Sequence, residues 1–107
     1  MADSKTQLME RVKRASTELR KRFEVTEIYL FGSQISGTAH KWSDVDIAVF
    51  LRRFDVAPLH ERVLAIVDVQ RTFGDDLEFH FFDASDPATE ESVSFAAEVK
   101  RTGVRII

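Results

Sequence analysis

Residues 44–51, Asp-Val-Asp-Ile-Ala-Val-Phe-Leu, set two aspartates at the head of an otherwise apolar run. The β-branched and aromatic content predicts a core strand. In an extended chain residues two apart share a face, so Asp44 and Asp46 project together with Cα atoms about 6.5–7 Å apart. Two like charges about 4 Å apart repel by about 4 kcal/mol at a near-surface effective dielectric. A partly buried pair therefore needs hydrogen bonds or a cation to neutralise it. Hard oxygen ligands with open positions favour Mg2+ or Mn2+, and carboxylates shared between two ions about 3.5–4 Å apart serve in-line phosphoryl transfer.

The rest of the chain supplies elements to cover such a strand. From Ser4 to Phe23 the residues Leu8, Val12, Ala15, Leu19 and Phe23 step by three or four, which predicts an amphipathic helix with Ser4 and Gln7 as its capping box. Its bases Lys5, Arg11, Lys13, Arg14, Arg20, Lys21 and Arg22 are interspersed with Glu10 and Glu18, the pattern of a solvated face with helix-spaced ion pairs. Glu27 to Phe31 reads as a strand ended by Gly32, and Asp44 to Leu51 as a second. A helix follows, with Asp55 as cap, Pro58 in its first turn, and Leu59, Val63, Ile66, Val67 and Phe73 as its buried face before Gly74. Leu77 to Phe82 reads as a third strand, turning Leu77, Phe79 and Phe81 one way and Glu78, His80 and Phe82 the other. After a turn at Asp86-Pro87, a helix from about Thr89 to Thr102 uses Val93, Ala96, Ala97 and Lys100 at core spacing and stops at Gly103. Val104 to Ile107 adds a short edge strand. The order helix, strand, loop, strand, helix, strand, helix predicts an α/β or α+β sandwich with helices packed on a small sheet.

With 107 residues, 44% of them hydrophobic, the chain 1–107 is expected to be one domain with its own core. It has no cysteine, so disulfides and thiolate metal sites are excluded and a reducing, cytoplasmic location fits. No signal-like start is expected, and no apolar stretch approaches the roughly 20 residues that span a bilayer, which argues against a membrane role. A net charge of -3 gives no general attraction to nucleic acid, and direct nucleic-acid binding is not expected. An anionic ligand must be held locally.

Gly32-Ser33 follows the first strand. Glycine there permits close backbone approach, and a serine entering a helical turn offers its hydroxyl and free amides to an anion, although the same pair could be a turn with a helix cap. No Gly-Lys-Ser/Thr follows, and the spaced glycines of a dinucleotide fingerprint are absent. Gly32-Ser33, ten residues, then Asp44-x-Asp46 resembles the signature of the DNA polymerase β-like nucleotidyltransferase superfamily. Gly37, Ala39, Ser43 and the apolar Val45, Ile47 and Val49 are similar to its minimal nucleotidyltransferase branch.

The resemblance implies a mixed sheet backed by helices. It also implies a loop of Gly32 and Ser33, with Ser43, on the triphosphate of ATP or another NTP, and two Mg2+ ions (or Mn2+) on the aspartates. A nucleoside monophosphate would pass to an acceptor hydroxyl and pyrophosphate would leave. The family's third acid lies on the next core strand, where Glu78 is the candidate for holding a metal with Asp44 and Asp46 and for activating the attacking hydroxyl. The family more often has aspartate there; glutamate's extra methylene adds about 1.5 Å of reach. His80 shares the face of Glu78 and could assist as a base or an acceptor contact. His40, Lys41 and Trp42 could border the nucleotide.

Little chain remains beyond such a core, so the acceptor is expected to come from outside. Minimal members pair with a separately encoded helical protein of the HEPN type, and in such toxin–antitoxin systems the nucleotidyltransferase can adenylylate the toxin. The rival reading is a catalytically idle module that neutralises or scaffolds its partner by contact.

Overall fold

Leu8, Val12, Ala15 and Leu19 form one stripe of α1 (Lys5–Arg20) and are all buried, so the helical period found in the sequence is the period of its contact with the core. Residues 5–31, 45–84 and 95–107 are described by the computed structural model of the chain, apart from the side chains of residues 5, 55 and 95. The expected Ser4 cap, the Asp86-Pro87 turn, Thr89 and Val93 lie outside them. The α1 helix ends before Phe23, which is half-buried in the following turn and sets its ring edge-on to Phe81, 5.9 Å between centroids. Bases of α1 and of the turn after it are engaged in ion pairs: Arg11 with Asp76, Lys21 with Glu18 at 3.1 Å and Arg22 with Asp68 at 2.9 Å.

Among the described residues four strands form one mixed sheet in the order β3-β2-β1-β4: β1 (Val25–Phe31), β2 (Val45–Leu51), β3 (Leu77–Asp83) and β4 (Val104–Arg105). The β2 strand runs antiparallel to β1 and parallel to β3, and β4 pairs antiparallel with β1 at the edge. Val45 and every residue from Ile47 to Leu51 are buried, as befits a strand flanked on both sides and covered on both faces. One face carries Ile28, Leu30, Ile47, Val49, Leu77 and Phe79 against α1 and α2 (Leu59–Phe73). The other carries Tyr29, Ala48 and Phe50 against Ala96 and Val99 of α3 (Phe95–Thr102). Lys100 of α3 reaches Glu27 at 3.2 Å and lies 4.6 Å from the centre of the Phe50 ring.

Strand β1 begins at Val25 instead of Glu27, because its ladder to β2 continues through an irregularity between these residues and Thr26 Oγ1 donates to the Phe50 carbonyl at 3.2 Å. The polar Thr26 and Glu27 hid that non-local pairing.

The larger correction concerns α2. Leu59, Val63 and Val67, expected on its buried face, are exposed, while Ala65 and Val69 are buried, and Ile66 and Phe73 pack beside them. The helix carries two apolar stripes of equal period. The one containing Ala65 is turned inward, where a small side chain lets helices approach closely. The capping residue is Pro58, with no side-chain cap, and Asp55 falls instead in a short 3-10 turn, Phe54–Val56. Arg62 Nε donates to the Ala57 carbonyl at 2.8 Å and ties down the helix start.

The turn from α2 into β3 passes through Gly74 at φ 124°, a backbone conformation that favours glycine. Arg11 clamps this turn, its two terminal nitrogens donating to Asp76 at 2.6 and 2.9 Å and one of them also to the Phe73 carbonyl at 3.0 Å. The guanidinium holds the Asp76 carboxyl below its ordinary value of 3.8, against the opposing effect of partial burial. The stabilisation is therefore complete above that ordinary value and is lost as the pH falls through the lower folded-state value. Wild type is expected to be more stable than Asp76→Asn at about pH 7, with the gap narrowing toward about pH 3. Urea unfolding at both pH values checks this, and a gap independent of pH contradicts it.

Candidate active site

Parallel strands lie with their N-terminal ends together. The β2–β3 register sets Asp46 directly beside Glu78, and Ala48 beside His80. Alternation then puts Asp46, Glu78 and His80 on one face, the face of Ala48 and Phe50. His80 Nε2 lies 3.5 Å from Asp46 Oδ1 and 3.6 Å from Glu78 Oε1. One ligand atom from each of the three falls within 4.8 Å of the others. The small side chain of Ala48 leaves room for the imidazole to lean toward the carboxylates. Phe31, paired with Asp46 across β1, sets its ring edge-on to His80 at 5.3 Å.

The cluster opens outward: the side chain of Asp46 is 27% exposed, that of His80 33% and that of Glu78 50%. His80 Nε2 is nonetheless itself buried and has no hydrogen-bond partner among the described residues. Neighbouring ligands about 2.0–2.2 Å from one ion stand about 3–3.6 Å apart at octahedral and tetrahedral angles. The separations from His80 fall in that range, and the close carboxylates need a positive neighbour. Two oxygen donors and one nitrogen donor, open on one side, fit a divalent cation.

Of the residues that the sequence pointed to, Asp46 and Glu78 are thus brought together. Gly32, Ser33, Ser43 and Asp44 lie outside the described residues, as do His40, Lys41 and Trp42. Asp76 is engaged by Arg11, and Asp83 ends β3 beside Leu51, at the opposite end of the strand pair. His80, expected only to assist as a base or an acceptor contact, joins Asp46 and Glu78; its two-residue spacing from Glu78 is the sequence signal for a shared face.

Comparison with known proteins agrees with this architecture. Residues 12–105 match the family described as nucleotidyltransferase domain. A solved structure from Sulfolobus solfataricus, provisionally described as a nucleotidyltransferase, is similar in fold, with a TM-score of 0.63 at 20% identity over 98% of this chain and 89% of that one. No curated protein matches the chain significantly in sequence.

Proposed function

The chain belongs to the nucleotidyltransferase domain family, and on that premise we propose that it moves AMP from ATP to a hydroxyl of a separately encoded helical HEPN-type protein, as the antitoxin of a toxin–antitoxin pair in the cytoplasm. The observation that carries the reading is the pairing of Asp46 with Glu78 on parallel strands, with no intervening residue to separate their charges. In this reading Asp44, Asp46 and Glu78 hold Mg2+ or Mn2+, while Gly32, Ser33 and Ser43 hold the triphosphate. Bound divalent ions would offset the charge on the entering and departing oxygens. Glu78 has the more exposed carboxylate of the described pair and accepts the proton of the incoming hydroxyl; Asp46, less exposed, keeps the orientation that its buried strand dictates. Together with the loop they hold the acceptor oxygen, phosphorus and leaving group in line.

The outward stripe of α2 supports a protein partner. Leu59, Val63, Leu64 and Val67 on this helix, and Val56 in the turn before it, are all exposed large apolar side chains. Val63→Glu is expected to abolish co-purification with the partner while shifting the melting temperature little, because the site is 47% exposed. Undiminished complex formation would count against this face. Among the described residues no helix is long and apolar enough to cross a membrane.

The activity is tested by incubating the protein with labelled ATP, Mg2+ and the co-purified partner, comparing wild type with Asp44→Asn and Asp46→Asn. Transfer of label by wild type that is lost in both variants supports catalysis. Absence of transfer by wild type, with equal neutralisation of the partner by all three proteins, establishes the contact mechanism instead.

A further inference from the structure

We propose that His80 is a nitrogen ligand of the ion held by Asp46 and Glu78, and that it turns the site's preference from Mg2+ toward first-row transition ions such as Mn2+. This rests on the reading that Asp46 binds a divalent ion.

The imidazole geometry carries it. A charge-assisted hydrogen bond from Nε2 to either carboxylate would be about 2.7–2.9 Å long. The observed separations, 3.5 and 3.6 Å, are longer and leave Nε2 without a hydrogen bond to either. A buried nitrogen with no partner among the described residues costs stability, as do two carboxylates side by side. A cation among the three ligand atoms removes both penalties at once. The ring is also prepositioned: its backbone is fixed by the β2–β3 ladder, Ala48 leaves it space, and Phe31 stands against it.

Ligand type then sets the metal. Mg2+ takes oxygen ligands in near-ideal octahedral geometry and sheds water reluctantly, whereas imidazole suits first-row transition ions. With oxygen donors alone the site would serve Mg2+ well. An imidazole whose buried Nε2 lies within coordinating reach gives Mn2+ an added bond that Mg2+ gains little from.

The test combines calorimetry with spin-echo electron paramagnetic resonance on the Mn2+-loaded protein grown with isotopically labelled histidine. Wild type is expected to show modulation from an imidazole nitrogen, retained in His40→Gln and His60→Gln and lost in His80→Gln. In calorimetry, His80→Gln is expected to weaken Mn2+ binding about tenfold or more while changing Mg2+ binding by no more than about twofold. Mn2+ bound to wild type without nitrogen modulation overturns the proposal, as does equal weakening of both ions in His80→Gln. In either case the carboxylate site survives if Asp46→Asn has lost the ion. No Mn2+ uptake by wild type, or unchanged uptake by Asp46→Asn, overturns this inference together with the reading beneath it.

Discussion

Replacing Asp46 by asparagine is expected to slow nucleotidyl transfer about a thousandfold, equivalent to roughly 4 kcal/mol of transition-state stabilisation. The amide keeps the shape and the hydrogen-bonding reach of the carboxylate but removes the charge that, in the proposed reading, holds a cation. It also removes one of two like charges set side by side on neighbouring strands. Such a pair is unfavourable by a few tenths to about 1 kcal/mol, so without divalent ions the variant is expected to unfold at nearly the same urea concentration as wild type. Single-turnover transfer and urea unfolding on the same preparation check both halves. Full activity, or an inactive protein that has also lost several kcal/mol of stability, would contradict the role assigned to this carboxylate.

The largest effect on stability is expected at Phe50. Its side chain is fully buried, stacked on Phe82 with centroids 5.1 Å apart and met edge-on by Tyr29 at 5.8 Å, and the Lys100 ammonium lies over its face. Phe50→Ala is expected to cost about 3–5 kcal/mol, from lost transfer energy and the cavity left between the sheet and α3. A domain of this size holds about 5–15 kcal/mol in total, so a measurable unfolded fraction follows at elevated temperature. Phe81→Ala, a half-buried ring on the opposite face, is expected to cost less. Comparing the urea midpoints of the two variants checks the ranking. Activity is expected to fall with the same packing, because Phe50 lies on the face of Asp46 and loosening β2 there would disturb the register that sets Asp46 beside Glu78.

The legible parts of the fold were those written in local period. The stripe of α1, the apolar run of β2 and the alternation Leu77, Phe79, Phe81 against Glu78, His80, Phe82 each state a face that the structure keeps. Expectation and structure part where local period is ambiguous. In α2 two stripes satisfy the same spacing, and only the approach of α1 and the sheet selects Ala65 and Val69 over Leu59, Val63 and Val67. Val99 stands outside the core set expected for the last helix, Val93, Ala96, Ala97 and Lys100, yet it packs beside Phe50 with Ala96.

The site divides in the same way. The sequence by itself determined that Asp46 would share a face with its strand's alternate residues, and Glu78 with His80, because side-chain direction in an extended chain depends only on parity. Which strands lie side by side, in which sense and at which register was decided by tertiary pairing between segments about thirty residues apart. That pairing sets Asp46 beside Glu78 and turns the imidazole of His80 toward both. A one-residue slip in it would carry one carboxylate to the opposite face, and burial of the apolar residues on both faces of β2 resists that slip.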